Sequence, residues 1–368
     1  MRIRQFSNLC FAAFAVLIMS GAAVQAETIR VLNWSNYIDP GVVKMFQTVS
    51  NIKVDLITYD SDDEIAEILN SDQAFDVIIA PGRVLLKHIS DGRFERLDNE
   101  LLPNRINMSR EYRRVLSRRN PNKDFPPRLY LEIYLWGTTG MAVDRAKLPA
   151  ALADDIDSLA LYFDPAKIKQ MAHCGVHVLD APEEVIPAVL NYLGEQPNTT
   201  DPQIIAKAED TLMAIRPYIK SISSTGMEDK LADGRLCASF SWAGESMRAK
   251  QRAIDLRNGI DIHYSIPIEG ARVWMDLMTI DSRAPNREGA YKFYNYLMRP
   301  DVAASISNHM QYANGNAAAN MLISDALLDA KVIYPARSTM KRLYFVPRYE
   351  GETKEVADRI WAKFKAGG

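Results

Sequence analysis

The chain has no surplus of positive charge. Its 44 Lys and Arg face 46 Asp and Glu, a formal net charge of −2, which removes the phosphate-driven affinity of a nucleic-acid binder. Past residue 26 no apolar run approaches the roughly 18 residues of a candidate membrane span, so the mature protein is expected to be soluble. Signatures of common enzymes are missing as well: there is no G-x-G-x-x-G after a strand, no G-x-x-x-x-G-K-[ST], no G-x-S-x-G and no H-E-x-x-H. Histidine is scarce, with five scattered residues, and Cys is scarcer, with three. No internal repeat, low-complexity tract or linker rich in Pro, Gly or Ser divides the sequence. Two domains would therefore be joined by short crossing segments rather than by a flexible tether.

What is present begins with a leader. Arg2 and Arg4 precede the apolar run "LCFAAFAVLIMS", and "VQA" ends at Ala26 with the small residue that a signal peptidase needs. Residues 1–26 are read as a cleaved signal peptide, and the exported chain starts at Glu27. Cys10 leaves with the leader, since "SNLCFA" comes too early and is too polar for a lipoprotein cleavage site. Without Arg2 and Arg4 the exported form carries 42 basic and 46 acidic side chains, a net of −4. Cys174 and Cys237 remain, and in an oxidising compartment they read as a disulfide. Two unrelated buried thiols are the other reading.

At 368 residues, 48% apolar and 24% charged, the chain can bury a full core and is too long for one ordinary domain, so two lobes are expected. "TIRVLNW" (28–34), "IKVDLITY" (52–59) and "FDVIIAP" (75–81) are β-rich runs. "PGVVKMFQTVS" and "SDDEIAEILNSD" between them carry apolar residues at helical spacing. This βαβαβ alternation predicts a mainly parallel sheet covered by helices, with ligands beyond the carboxyl ends of its strands. "YLEIYLWGTTGMAVD" (130–144) reads as strand, glycine-containing break, strand. A second α/β unit follows through "CGVHVLD", the helices "APEEVIPAVLNYLG" and "IAKAEDTLMAIRPYI", the strand "LCASFSW" and the helix "AGESMRAKQRAI". The strand "ARVWMDLMTID", two further helices and the amphipathic "ETKEVADRIWAKFKAG" close the chain. Crossings near 134–137 and 268–274 give 27–134 with 271–320 as lobe 1 and 135–270 with 321–368 as lobe 2. A cleft between them is the expected site.

Aromatics and acids gather at the ends of these elements. Trp34, Tyr37, Trp136, Trp242, Trp274 and Tyr312 fall at or near strand termini or in loops, and Asp180, Glu184, Glu245 and Asp276 lie close to them in sequence or by topology. Most have a structural reading. Asp180 in "DAPEE" reads as a helix N-cap, with Glu183 at N3 completing a capping box and Pro182 in the first turn. Glu184 and Glu245 suit helix N-termini through the macrodipole, and Trp242 and Trp274 suit a core. Asp276 resists, because an acid inside "VWMDLMTI" is costly to bury without a cationic partner. Taken together, aromatic walls ending in carboxylates suit an organic ammonium: ring faces attract cations, and an ionised carboxylate accepts a charge-assisted hydrogen bond. In "HCGVH", read as a strand, His173 and His177 share a face but stand too far apart to hold one ion, so no metal is expected.

"NWSNYIDP", "CGVHVLDAPEEVIPAVLNYLG", "LADGRLCASFSWAGE", "NYLMRPDVAASISNHMQYANGNAAA" and the closing helix together resemble the periplasmic polyamine-binding proteins of bacterial ABC transporters, closest to their putrescine-binding members. The resemblance spans nearly the whole exported chain, in order. It implies an α/β, two-lobed periplasmic binding protein fold of type II that closes on its ligand. It also implies delivery of a small amine to an inner-membrane permease with its ATPase, binding without catalysis, and no cofactor; a monomer is expected. Carried onto this chain, the pattern gives ring and hydroxyl contacts from Trp34, Ser35 and Tyr37. Glu184, Trp242, Glu245, Trp274, Asp276 and Tyr312 line the pocket, with Ser224 counted beside them. Relatives also bridge the cysteines that match Cys174 and Cys237.

The departures concern one end of that pocket. Asn36 stands where polyamine binders carry an acid. The family's P-S-x-S turn is here "APGR", so Pro81 and Gly82 offer no hydroxyl and Arg83 adds a cation; Glu245 is one methylene longer than the usual Asp. Asn36 and Arg83 are therefore counted with the ligand-binding residues, and two ligands stay open. In one reading the ligand is putrescine or a related diamine and Arg83 points to solvent. In the other it is an ω-amino acid or another mono-ammonium compound whose carboxylate meets the Arg83 fork. A ligand-sensing module for a membrane receptor would use the same fold. A secreted enzyme acting on amines would need a general base or cofactor site, and the sequence offers neither.

Overall fold

Alternating β-branched and aromatic runs give the strands on which the molecule is built. The computed structural model describes residues 27–119 and 124–367; the expected leader lies outside the described residues. β1 (Glu27–Trp34), β2 (Ile52–Tyr59) and β3 (Val77–Pro81) are parallel in the order β2-β1-β3, with helices Pro40–Ser50 and Asp62–Asn70 between them in sequence. Asp39 caps the first helix through the Gly41 amide, and Ser61 caps the second through the Glu64 amide. Val42, Val43 and Phe46 on one helix and Ile65 and Leu69 on the other form the buried stripes.

Two long strands carry the chain between halves. β4 (Glu132–Asp144) is continuous over 13 residues, so the expected break within it does not occur. Its first part, Glu132–Thr138, pairs antiparallel with β9 (Ala271–Ile280), and its second part, Thr139–Val143, with β7 (Ala238–Trp242). Gly137 and Gly140 serve close approach rather than a turn. A Cβ at 137 would stand 2.6 Å from the Trp274 ring, and one at 140 would stand 2.3 Å from the Ser265 carbonyl. β9 also pairs with β3, and β5 (Val176–Val178) lies between β7 and β6 (Ile219–Ile222), giving the order β2-β1-β3-β9-β4-β7-β5-β6. β8 (Ile262–Ser265), β10 (Ala313–Asn314) and β11 (Leu343–Tyr344) add to β4 and β9, so the described residues form one curled sheet of 11 strands. No helix of the described residues is long and apolar enough to cross a membrane.

Side chains on this sheet make two cores. The first centres on β1, β3 and β9, through Ile29, Val31, Ile78 and Leu277. The second centres on β5, β7 and the later half of β4, through Val143, Val178 and Phe240, with Ile360 and Phe364 from helix Gly351–Ala366. The first core also holds Ile323, Leu327 and Ile333, from a stretch that the sequence assigned to lobe 2, as well as Leu231, Ala249 and Ile262. Cys174 and Cys237 form a disulfide at the second core, 63 residues apart in sequence. His173 and His177 do not share a strand face. His173 lies in a 3-10 turn and meets the Gln170 carbonyl, whereas His177 is buried in β5 beside Ser221, where burial pushes its pKa down to about 4.

Candidate cation-binding site

The "NWSNY" turn leaves the carboxyl end of β1 and is organised by Asn33. Its Oδ1 accepts from the Trp34 amide at 2.9 Å, and its Nδ2 donates to the Tyr37 carbonyl at 3.3 Å. Asn36 is exposed with φ 54°, a left-handed conformation that Asn tolerates better than most side chains. Trp34 packs on Tyr59 at 4.5 Å between ring centroids, and the half-buried Ser35 follows it. Tyr37 turns inward between Tyr134 and Tyr312, at 5.8 and 6.1 Å.

β9 then brings Trp274 and Asp276 to one face, two residues apart. Trp274 meets Tyr312 edge-on at 4.9 Å. Room for this pair comes from Gly137 and Gly244, since a Cβ on Gly244 would stand 2.5 Å from the Tyr312 ring. Asp276 is buried beside the Tyr37 phenol. Burial pushes its pKa up to about 7, opposed by Tyr37 and more weakly by Arg83 and Arg272. Glu245, in the first turn of helix Ala243–Leu256 just after Trp242, is likewise pushed up to about 7 by burial, with Arg248 opposing. Arg248 is itself held by Glu228 at 2.8 Å and by the Met310 carbonyl at 2.7 Å. Among the described residues neither Asp276 nor Glu245 makes an ion pair, and the Tyr37 hydroxyl and Trp274 Nε1 are buried without a well-formed hydrogen bond. Carboxylates beside ring faces are groups that attract organic cations.

The other acids are already matched. Arg83, at the start of helix Gly82–His88, neither points to solvent nor leaves its fork open: Nε stands 2.5 Å from Asp62 and Nη2 3.0 Å from Glu183. Burial works against its charge, but Asp62 and Glu183 outweigh it and hold the guanidinium ionised. Glu184, expected in the pocket, is instead paired with Arg272 in the interior and accepts from Thr139 Oγ1 at 2.7 Å. Asp180 caps no helix, because the N-cap is Ala181. Its carboxylate accepts from Trp361 Nε1 and Lys365 at 2.7 Å each, while Ser224 bonds its carbonyl at 3.1 Å. Trp136 is no wall of the cleft; it sits within β4 at 2% exposure, edge-on to Tyr112. A cavity of about 150 Å³ runs between Trp34, Trp242, Ser224 and the Arg83 cluster. Asp62, Arg272, Gly137 and Gly244 went unnamed in the sequence. Asp62 had a signal, since "YDSDDE" places an acidic run directly beyond the carboxyl end of β2.

The model of the bacterial extracellular solute-binding proteins matches residues 41–331. The chain belongs to that family. A putrescine-binding periplasmic protein of Pseudomonas aeruginosa (strain UCBPP-PA14), SpuD, is 34% identical over 370 residues, spanning 99% of this chain and all of its own. The putrescine-binding periplasmic protein PotF of Escherichia coli K12 is 33% identical over 365 residues, spanning 98% and 97%. In fold, a solved spermidine/putrescine ABC transporter substrate-binding protein of Streptococcus pneumoniae, PotD, matches with a TM-score of 0.73 at 23% identity, over 93% of this chain and 99% of its own. Of the two unpaired acids, Asp276 lies on β9, which pairs with both β3 and β4, and Glu245 lies at the start of the helix that follows β7.

Proposed function

We propose that this is a periplasmic solute-binding protein that captures putrescine or a related diamine and hands it to an inner-membrane ABC permease with its ATPase. One observation carries the reading: Asp276 is buried beside Tyr37, Glu245 is half-buried near Tyr312, and neither makes an ion pair among the described residues. Unpaired acids in a closing cleft cost several kcal/mol, and a dication removes that cost at both ends. The putrescine named for the relatives fits the same count of charges.

In this reading Trp34 and Trp274 lie along the methylenes. The Tyr37 and Tyr312 phenols, whose pKa values burial holds well above the usual range, stay protonated as donors. Ser35, Asn36 and Ser224 stand at the rim, and Glu184 acts through Arg272 rather than on the ligand. The ligand bridges the lobes and favours the closed form, which the permease recognises; no bond is made or broken. Residues 1–26 serve as the export signal, and the mature protein acts as a monomer. Calorimetry on residues 27–368, unfolded and refolded to strip carried ligand, tests the reading with putrescine, cadaverine, agmatine and γ-aminobutyrate. Tight binding of a diamine is expected, with none of γ-aminobutyrate, whose carboxylate would meet an Arg83 fork already filled by Asp62 and Glu183. Binding of γ-aminobutyrate alone, or of no amine, would overturn it.

A further inference from the structure

Two acids that line the cavity share one cation of the chain, whereas Asp276 and Glu245 make no ion pair among the described residues. Asp62, at the start of helix Asp62–Asn70 in the first lobe, and Glu183, in helix Pro182–Tyr192 of the second, share the Arg83 guanidinium. Their side chains are mostly buried, at 12% exposure for Asp62 and 26% for Glu183, as is that of Arg83 at 12%. Asp276 feels both members of this cluster, lowered by Arg83 and raised by Asp62, so the cluster is its electrostatic neighbour. Asp276 and Glu245 thus carry charge with no ion pair, and Asp62 and Glu183 carry charge that one guanidinium offsets in part.

We infer that Arg83 sets the valence of the ligand: it occupies, as a tethered cation, the acidic subsite that a third ammonium would need, and so makes the cleft select diamines over triamines. This rests on the diamine reading above. An aminopropyl extension beyond Asp276 would bring a third charge against a guanidinium that already offsets part of the charge of Asp62 and Glu183, so the ammonium gains less there than it would beside the two acids alone. Removing the guanidinium would leave Asp62 and Glu183 facing each other across the lobes without a cation. An incoming ammonium would then relieve their repulsion. The exclusion is therefore electrostatic and not a matter of room. Arg83 is a specificity-determining residue that need not touch the diamine.

The test compares putrescine and spermidine on the full exported chain and on Arg83→Met, Arg83→Lys and Arg83→Ala. Unmodified protein should bind putrescine at least tenfold more tightly than spermidine. Met keeps reach without charge, and Lys keeps both. Spermidine affinity should rise tenfold or more in the Met and Ala variants, stay low in the Lys variant, and putrescine affinity should change by less than that in all three. Putrescine binding also reports that each variant folds, and the Met and Lys pair suffices should Ala disrupt the lobe contact. A gain in Ala but not in Met, an equal gain in Lys, or no gain in any variant overturns the inference. If the unmodified protein binds no diamine, it is the proposed function that fails, a result separate from these.

Discussion

The two sets of acids in this cleft behave as opposites. Glu184 and Glu183 have arginines against them, Arg272 and Arg83, and so act within the fold, tying helix Pro182–Tyr192 to β9 and to the first lobe. Asp276 and Glu245 make no ion pair among the described residues, and burial raises both, with smaller pushes from Asp62 and Glu228. Charge that is matched inside a protein holds it together, whereas charge left unmatched stores free energy that a ligand can release. The same residue type thus serves stability on one side of a strand and recognition on the other, and only the partner distinguishes the two.

The comparison breaks most visibly at Glu184. Glu184→Ala should lower unfolding stability by about 3–5 kcal/mol, because Arg272 is left buried without its counter-ion, while the ratio of putrescine to cadaverine affinity stays unchanged. Chemical denaturation alongside calorimetry checks both halves; a stable variant with altered selectivity would move Glu184 into the binding set. Asp276→Asn should do the reverse, costing about 100-fold in diamine affinity while raising the melting temperature of the ligand-free protein, since an unpaired buried acid is removed. A melting temperature that falls would mean that Asp276 has a structural partner after all. Per acid, the smallest effect is that of pH. Both acids have unfolded values near 4 and folded values of about 7, so the stability they contribute is full at low pH and is lost as pH rises through 7. A bound diamine favours their charged forms, so affinity should rise roughly tenfold per acid between pH 6 and 8, with protons released on binding. Titration in buffers of different ionisation enthalpy reads that release, and a flat profile would mean that the acids are ionised before ligand arrives.

Much of the fold was legible because it is local. The first three strands and the two helices between them follow from periodicity over a few positions. The grouping of Tyr37, Trp274, Asp276 and Tyr312 was legible too, since an acid inside an apolar strand and aromatics at strand ends are visible one segment at a time. What failed was long-range. Arg83 and Glu183 stand 100 residues apart, so neither solvent nor a ligand carboxylate was the right partner for that cation. Asp180 had the residues of a cap, but the indole of Trp361, 181 positions away, takes its carboxylate. Glycines in β4 looked like a break because a gap for another strand's tryptophan leaves no mark in the local sequence.

The arrangement of indoles has an optical consequence. Of five tryptophans, Trp34 and Trp242 line the cavity beside Arg83, Trp274 stands edge-on to Tyr312 beside the proposed site, and Trp136 and Trp361 are packed into the two cores. Emission from the first three will shift or quench when the cleft closes, and the other two supply a steady background. The molecule is thus its own unlabelled fluorometer: Phe at 34, 242 or 274, one at a time, would read out which wall a ligand meets first.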